Sequence, residues 1–122
     1  MTNIVDIKQL SPITNKGGEI FVPISPQNCD SKNLIMGKVI LKAYEELLPH
    51  MHDYSDEAFL VVKGRGTLKI ESKILPLENN KAYFIPKGQI HQITNDKDCD
   101  LELIFSSAPL APHPSEGDKI VV

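Results

Sequence analysis

The 122-residue chain lacks the features that mark several large classes of protein. It has no excess of positive charge: 13 Lys and Arg stand against 16 Asp and Glu, a formal net charge of −3. That leaves no basic surface for nucleic acid and no polybasic anchor for a membrane. No apolar run approaches the ~20 residues that a helix needs to cross a bilayer. The opening Met1 to Lys8 lacks the charged-then-apolar form of a secretory signal, so a cytoplasmic location is expected. Cysteine is scarce. Cys29 and Cys99 are the only two, they have no Cys-x-x-Cys spacing, and two reduced thiols are expected rather than a disulfide.

What is present is an ordinary globular composition, 41% hydrophobic and 24% charged, in a length that suits one domain. Nine prolines and seven glycines are spread along the chain as turn punctuation, which favours many short strands over long helices. Strands are expected over Glu19 to Ile24 (an edge, because of Pro23 and Pro26), Leu34 to Ala43, Ala58 to Lys63, Leu68 to Glu71, Lys73 to Leu77, Lys81 to Ile85 and Leu101 to Phe105. Gln27 to Lys32 reads as a polar loop and Tyr44 to Leu48 as a helical turn. Gly64-Arg65-Gly66 reads as a hairpin, with the following strand pairing back. This pattern means an all-β sandwich or barrel. Residues 1–18 form an amino-terminal arm, 19–108 the barrel and 109–122 a Pro-rich tail. In that tail His113 is expected to be solvated, and Ile120-Val121-Val122 to form a short strand.

Three of the four histidines fall in two stretches, Pro49 to Gly64 and Pro86 to Asn95. His50 and His52 are two apart, so on a strand they share a face. Glu57 lies an odd step further on, but the polar Asp53-Tyr54-Ser55-Asp56 provides a bend. A new strand can start at His91, after Pro86 and Gly88. Three strand beginnings can therefore aim His50, His52, Glu57 and His91 at one point. Three imidazoles and a carboxylate suit Fe, Mn, Zn, Ni or Cu at roughly 2.0–2.2 Å. A single histidine on a strand is more often structural than a ligand, so the inference rests on the whole set.

These residues resemble the two motifs of the cupin superfamily. His50-x-His52, then four residues, Glu57, six residues and Gly64 match the first motif, with Tyr44 in place of its leading glycine. Pro86, Gly88, His91 and Asn95 match the second in register, with Asn80 in place of its leading glycine. Asn tolerates positive φ, so a turn at Asn79-Asn80 is retained. The resemblance implies a double-stranded β-helix (jelly-roll) barrel with one divalent transition metal per chain, Fe, Mn, Zn or Ni, near one mouth.

Strand parity then sketches the pocket. If Glu57 points inward, so do Phe59 and Val61, and Ile93 follows His91, so the wall is largely apolar. The polar candidates are Tyr44, Tyr83, Lys42 and Arg65, and none is assigned a catalytic role. The metal would have to supply most of any chemistry. A small metal-dependent enzyme, an oxygenase or a Lewis-acid lyase or isomerase, acting on an oxygen-chelating organic acid or sugar derivative leads. A binding protein for a small carboxylate or sugar and a structural or sensing barrel are the alternatives. Ile4, Val5, Ile7 and Leu10 are too apolar for a free arm, and a homodimer that covers a sheet edge with that arm is expected.

Overall fold

Asp56-Glu57-Ala58-Phe59-Leu60-Val61-Val62-Lys63 sets the pattern for the fold, because Glu57, Phe59 and Val61 are buried and Asp56, Ala58, Leu60 and Val62 around them are exposed. A strand with that alternation needs a core on one face and tolerates water on the other. The computed structural model describes residues 2–112 and the backbone of 119–120. The strands are β1 (Glu19–Ile24), β2 (Ile35–Leu41), β3 (His50–Met51), β4 (Asp56–Lys63), β5 (Gly66–Ile70), β6 (Lys73–Leu77), β7 (Ala82–Ile85), β8 (His91–Thr94), β9 (Leu101–Ala108) and β10 (Lys119–Ile120). They form two five-stranded antiparallel sheets, ordered β1-β2-β9-β4-β7 and β10-β3-β8-β5-β6. The molecule is an all-β jelly roll.

Register arranges the inward side chains of the first sheet in rows. Val39, Leu103 and Val61 lie abreast, then Gly37, Phe105, Phe59 and Tyr83, then Ile35, Ser107, Glu57 and Ile85. Leu68 and Ile93 pair across the second sheet, and one row on, Ile70 pairs with His91. The deep rows are filled by apolar side chains, with Leu41, Val61, Leu68 and Leu101 wholly buried, and Asn95 is the buried polar side chain at that end, bonded to the Leu41 carbonyl. Further polar groups enter at the end where β3, β4 and β8 begin. Gly37 is required in the row beneath: a Cβ there would stand 2.6 Å from the Phe105 ring and 2.2 Å from the Phe21 carbonyl oxygen.

Both substitutions at motif glycines keep the backbone that a glycine would give. Tyr44 has φ 63° and Asn80 φ 65°, both left-handed. β1 lies at a sheet edge as expected, although Ile13 of the arm bridges to Ile20. Phe59, Val61 and Ile93 are buried in line with their parity. Cys29 and Cys99 are free thiols.

Three local expectations are corrected. Gly64-Arg65-Gly66 is not a hairpin: β4 and β5 belong to different sheets, and the segment carries the chain from one to the other. Gly64, at φ 85°, passes so close to the Asp100 carbonyl that a Cβ would lie 2.3 Å from its oxygen. β5 pairs instead with β6, through a turn in which Glu71 has φ 51°. Tyr44 to Leu48 is not helical: Tyr44 closes a turn, and Leu47 N–H donates to the Ile93 carbonyl and Asn95 N–H to that of Glu45, which holds Glu45 to Leu47 extended beside β8. The Gln27 to Lys32 loop begins as a helical turn, α1 (Pro26–Cys29), because the Ser25 side chain caps Asn28 N–H and Pro26 opens it.

The arm has a single 3-10 turn, Ile7–Gln9, and Ile4 is 84% exposed. Of the expected carboxyl-terminal strand, Ile120 is in β10, which pairs with His50 and Met51. His113, Val121 and Val122 lie outside the described residues. Among the described residues no helix is long and apolar enough to cross a membrane.

Candidate metal centre

His50 opens β3, His52 follows that strand, Glu57 is the second residue of β4 and His91 opens β8. The two sheets bring these four together. One ligand atom from each lies within 4.8 Å of the other three. His50 pairs directly with His91 across β3 and β8, and their rings are 4.1 Å apart. The His52 ring stands 5.3 Å from His50 and 5.4 Å from His91. His52 Nε2 is 2.8 Å from Glu57 Oε2.

The backbone sets the imidazole tautomers. His50 Nδ1–H donates to the Leu48 carbonyl at 2.8 Å, and His91 Nδ1–H to that of Gln89 at 3.1 Å. Each bond leaves Nε2 as the lone-pair nitrogen, which is how a ligating histidine is ordinarily oriented. His91 Nε2 is buried with no hydrogen-bond partner. Such an orphan costs about 1–3 kcal/mol unless something else satisfies it. Two donors on opposite sides of one ion, each about 2.1 Å from it, are about 4.2 Å apart and neighbouring donors are closer, so the set must contract to close on an ion. The residues fit a metal, and the cluster can hold one.

The electrostatics favour coordination. Burial alone would raise the Glu57 pKa, but the hydrogen bond from His52 and the nearby imidazoles hold it below the ordinary 4.5. Glu57 is therefore ionised at neutral pH. Burial, with His50 alongside, lowers His91 to about 4. A neutral imidazole beside a carboxylate is the protonation state that a divalent ion requires.

The loops around the site are tied to each other. Gly88 N–H donates to the His52 carbonyl at 2.7 Å, and Lys87 N–H to Asp56 Oδ1 at 3.0 Å. The turn before His91 is thus bonded to the segment that carries His52 and Glu57. Glu71 grips Ile90, with its amide donating to the Ile90 carbonyl and its carboxylate accepting from Ile90 N–H. Asn95, wholly buried, bonds the carbonyls of Leu41, Lys42 and Cys99 and accepts from Lys97 N–H, so its place in the motif is architectural.

None of the four polar candidates joins the ligand cluster. Tyr44 is 70% exposed, and Lys42 is also exposed. Arg65 lines a hollow of about 290 Å³ with Thr67, Pro76, Glu78 and Lys97, away from the histidines. Tyr83 stacks on Phe59 at 5.2 Å, and its hydroxyl donates to the Pro76 carbonyl and accepts from Glu78 N–H, which pins one sheet to the other. Sequence reasoning passed over Ser107. It is 5% exposed and lies directly across β9 and β4 from Glu57. A lone serine in a strand carries no signal until the register is known.

Residues 37–107 match a family model described as the Cupin domain. Over 114 residues the chain is 31% identical to the protein "Polyketide synthase CurC" of Streptomyces cyaneus, covering 93% of this chain and 74% of that one. A solved double-stranded β-helix protein from Klebsiella pneumoniae superposes with a TM-score of 0.77 at 13% identity, covering 100% of this chain and 99% of that chain. A predicted oxalate decarboxylase from Thermotoga maritima superposes with a TM-score of 0.73 at 23% identity, covering 88% and 99%.

Proposed function

This chain belongs to the cupin family, and from that premise we propose that it is a metal-dependent enzyme whose ligands are His50, His52, Glu57 and His91. The observation that carries the reading is the orientation of His50 and His91, whose Nδ1–H groups are spent on backbone carbonyls. Their Nε2 atoms are left to converge with His52 and Glu57. A divalent ion held there by these four residues would supply Lewis acidity. The chain's own part is to keep His91 neutral, to keep Glu57 ionised and to hold the surroundings dry with Phe59, Ile85 and Ile93. Three neutral imidazoles, one carboxylate and a divalent ion sum to +1, a charge that attracts anions.

The ligand class is a small molecule with neighbouring oxygens. Polyketides, with oxygens on alternate carbons, and oxalate, with two adjoining carboxylates, are both oxygen chelators. Those are the compounds after which the Streptomyces cyaneus relative and the Thermotoga maritima neighbour are named. The test is a screen of such compounds for turnover by protein loaded with Fe, Mn, Zn or Ni in turn. Iron-dependent turnover with O₂ uptake identifies an oxygenase, and turnover without O₂ a Lewis-acid lyase or isomerase. Saturable binding without turnover by any of the four metals would replace the enzyme with a binding protein.

We also propose a homodimer in which the arm contributes. Ile4 at 84% exposure and Phe84 and Leu60 on the outer face of the first sheet supply apolar surface for a second copy.

A further inference from the structure

The row that contains Glu57 holds a second polar side chain whose role is unaccounted for. Ile35, Ser107, Glu57 and Ile85 lie abreast on β2, β9, β4 and β7. Ile85 is 1% exposed and Ser107 5%, so both face inward as Glu57 does. Directly opposed residues in an antiparallel pair hold their Cβ atoms about 5 Å apart, which puts the Ser107 hydroxyl beside the Glu57 side chain. The inward position one row deeper on β9 is Phe105, and beyond it Leu103, both apolar. A hydroxyl at this depth ordinarily pairs with a backbone carbonyl or another side chain. Of the other buried serines among the described residues, Ser55 donates to the Pro109 carbonyl and Ser25 accepts from Asn28 N–H as a helix cap. Of these three, Ser107 is the one that lies in the row of Glu57.

We propose that Ser107 is a specificity-determining residue of this site: its hydroxyl donates a hydrogen bond to an oxygen of a small oxygen-chelating ligand lying against Glu57. The ligand class follows from the donors. One part of the ligand meets the histidine and carboxylate cluster, a second oxygen, carboxylate or carbonyl, reaches Ser107, and its carbon frame rests on Ile35 and Ile85. A ligand with a single donor atom engages the cluster without reaching Ser107. The inference rests on the metal reading above and adds to it a residue that selects among ligands.

Cobalt(II)-loaded protein offers a visible spectrum that shifts when a ligand binds, and oxalate and azide serve as the chelating and single-donor probes. In Ser107→Ala, cobalt uptake and azide affinity should match the unsubstituted protein, while oxalate affinity falls about tenfold or more, the usual effect of losing one hydrogen bond to a charged group. Ser107→Thr, which keeps the hydroxyl, should recover most of the oxalate affinity and guards against a packing effect. Equal oxalate affinity in Ser107→Ala overturns the proposal, as does a parallel loss for azide and oxalate, which would place the effect on the cluster itself. If the unsubstituted protein takes up no cobalt, the metal reading fails and the proposal with it. If cobalt enters but oxalate leaves the spectrum unchanged, the metal reading stands and the assignment to Ser107 falls.

Discussion

The two ends of the barrel follow the same strand parity and bury different chemistry. At the deep end Val39, Leu41, Val61, Leu101 and Leu103 fill the space between the sheets, and none has a polar atom to satisfy. At the other end the same inward positions hold His50, Glu57, His91 and Ser107, almost equally buried. Apolar burial stabilises by about 25 cal/mol per Å². Burial of a titratable group costs free energy unless a partner compensates it. The deep end therefore stabilises the barrel, and the stability it supplies lets the shallow end bury polar groups that could hold a metal. Stability and function are carried by successive rows of the same strands.

The largest effect that separates the two ends is loss of packing. Leu103→Ala, in the middle of β9, should reduce unfolding free energy by about 2–5 kcal/mol in denaturant titration, while the fraction that remains folded still takes up metal. A loss below about 1 kcal/mol would mean that the deep rows do not carry the fold.

Acid acts on the other end. The folded chain holds His91 at about 4, against an ordinary 6.5, so between those values the unfolded chain carries a proton that the folded one refuses. This contribution to stability is intact above 6.5 and is lost as pH falls through the window, by on the order of 3 kcal/mol in metal-free protein. Glu57, lowered from 4.5, adds a loss in the same direction at lower pH. Thermal unfolding of metal-free protein from pH 7.5 to 4 should show the decline, and replacing His91 by Leu should flatten its upper part. A flat profile in the original chain would contradict the burial of a neutral His91.

His91→Leu should itself change the stability of metal-free protein by no more than about 1 kcal/mol. It removes the orphaned Nε2 and fills similar space, and loses only the bond to Gln89. A loss comparable to that of Leu103→Ala would erase the distinction between the two ends. The smallest effect on the barrel comes from the arm. Deleting residues 1–10 should leave unfolding of the barrel within about 0.5 kcal/mol while converting a dimer to monomer in light scattering. Full-length protein that runs as a monomer at high micromolar concentration would contradict the dimer.

The clustering of His50, His52, Glu57 and His91 was legible in the sequence because all four lie at or next to strand ends, where spacing and turn residues together specify direction. β1 was legible to the residue: Pro26 stands just beyond its end, and Pro23 within it marks an edge strand. The crossing at Gly64-Arg65 was not, because a glycine pair marks a tight change of direction without saying which sheet receives the next strand. That depends on the contact of Gly64 with Asp100, 36 positions away. Tyr44 to Leu48 was misread for a similar reason: its local composition suits a helical turn, but backbone bonds to Ile93 and Asn95 hold Glu45 to Leu47 extended. Ser107 was invisible because its significance lies in its register with Glu57.

The most direct test of the central claim is the metal content per chain of protein purified without chelator or affinity-tag metal, measured beside His52→Ala. The account predicts close to one divalent transition metal per chain in the original protein. It predicts loss of most of that metal in His52→Ala, with the strand content of the barrel unchanged. Full occupancy in the folded His52→Ala protein would contradict the assignment of the site.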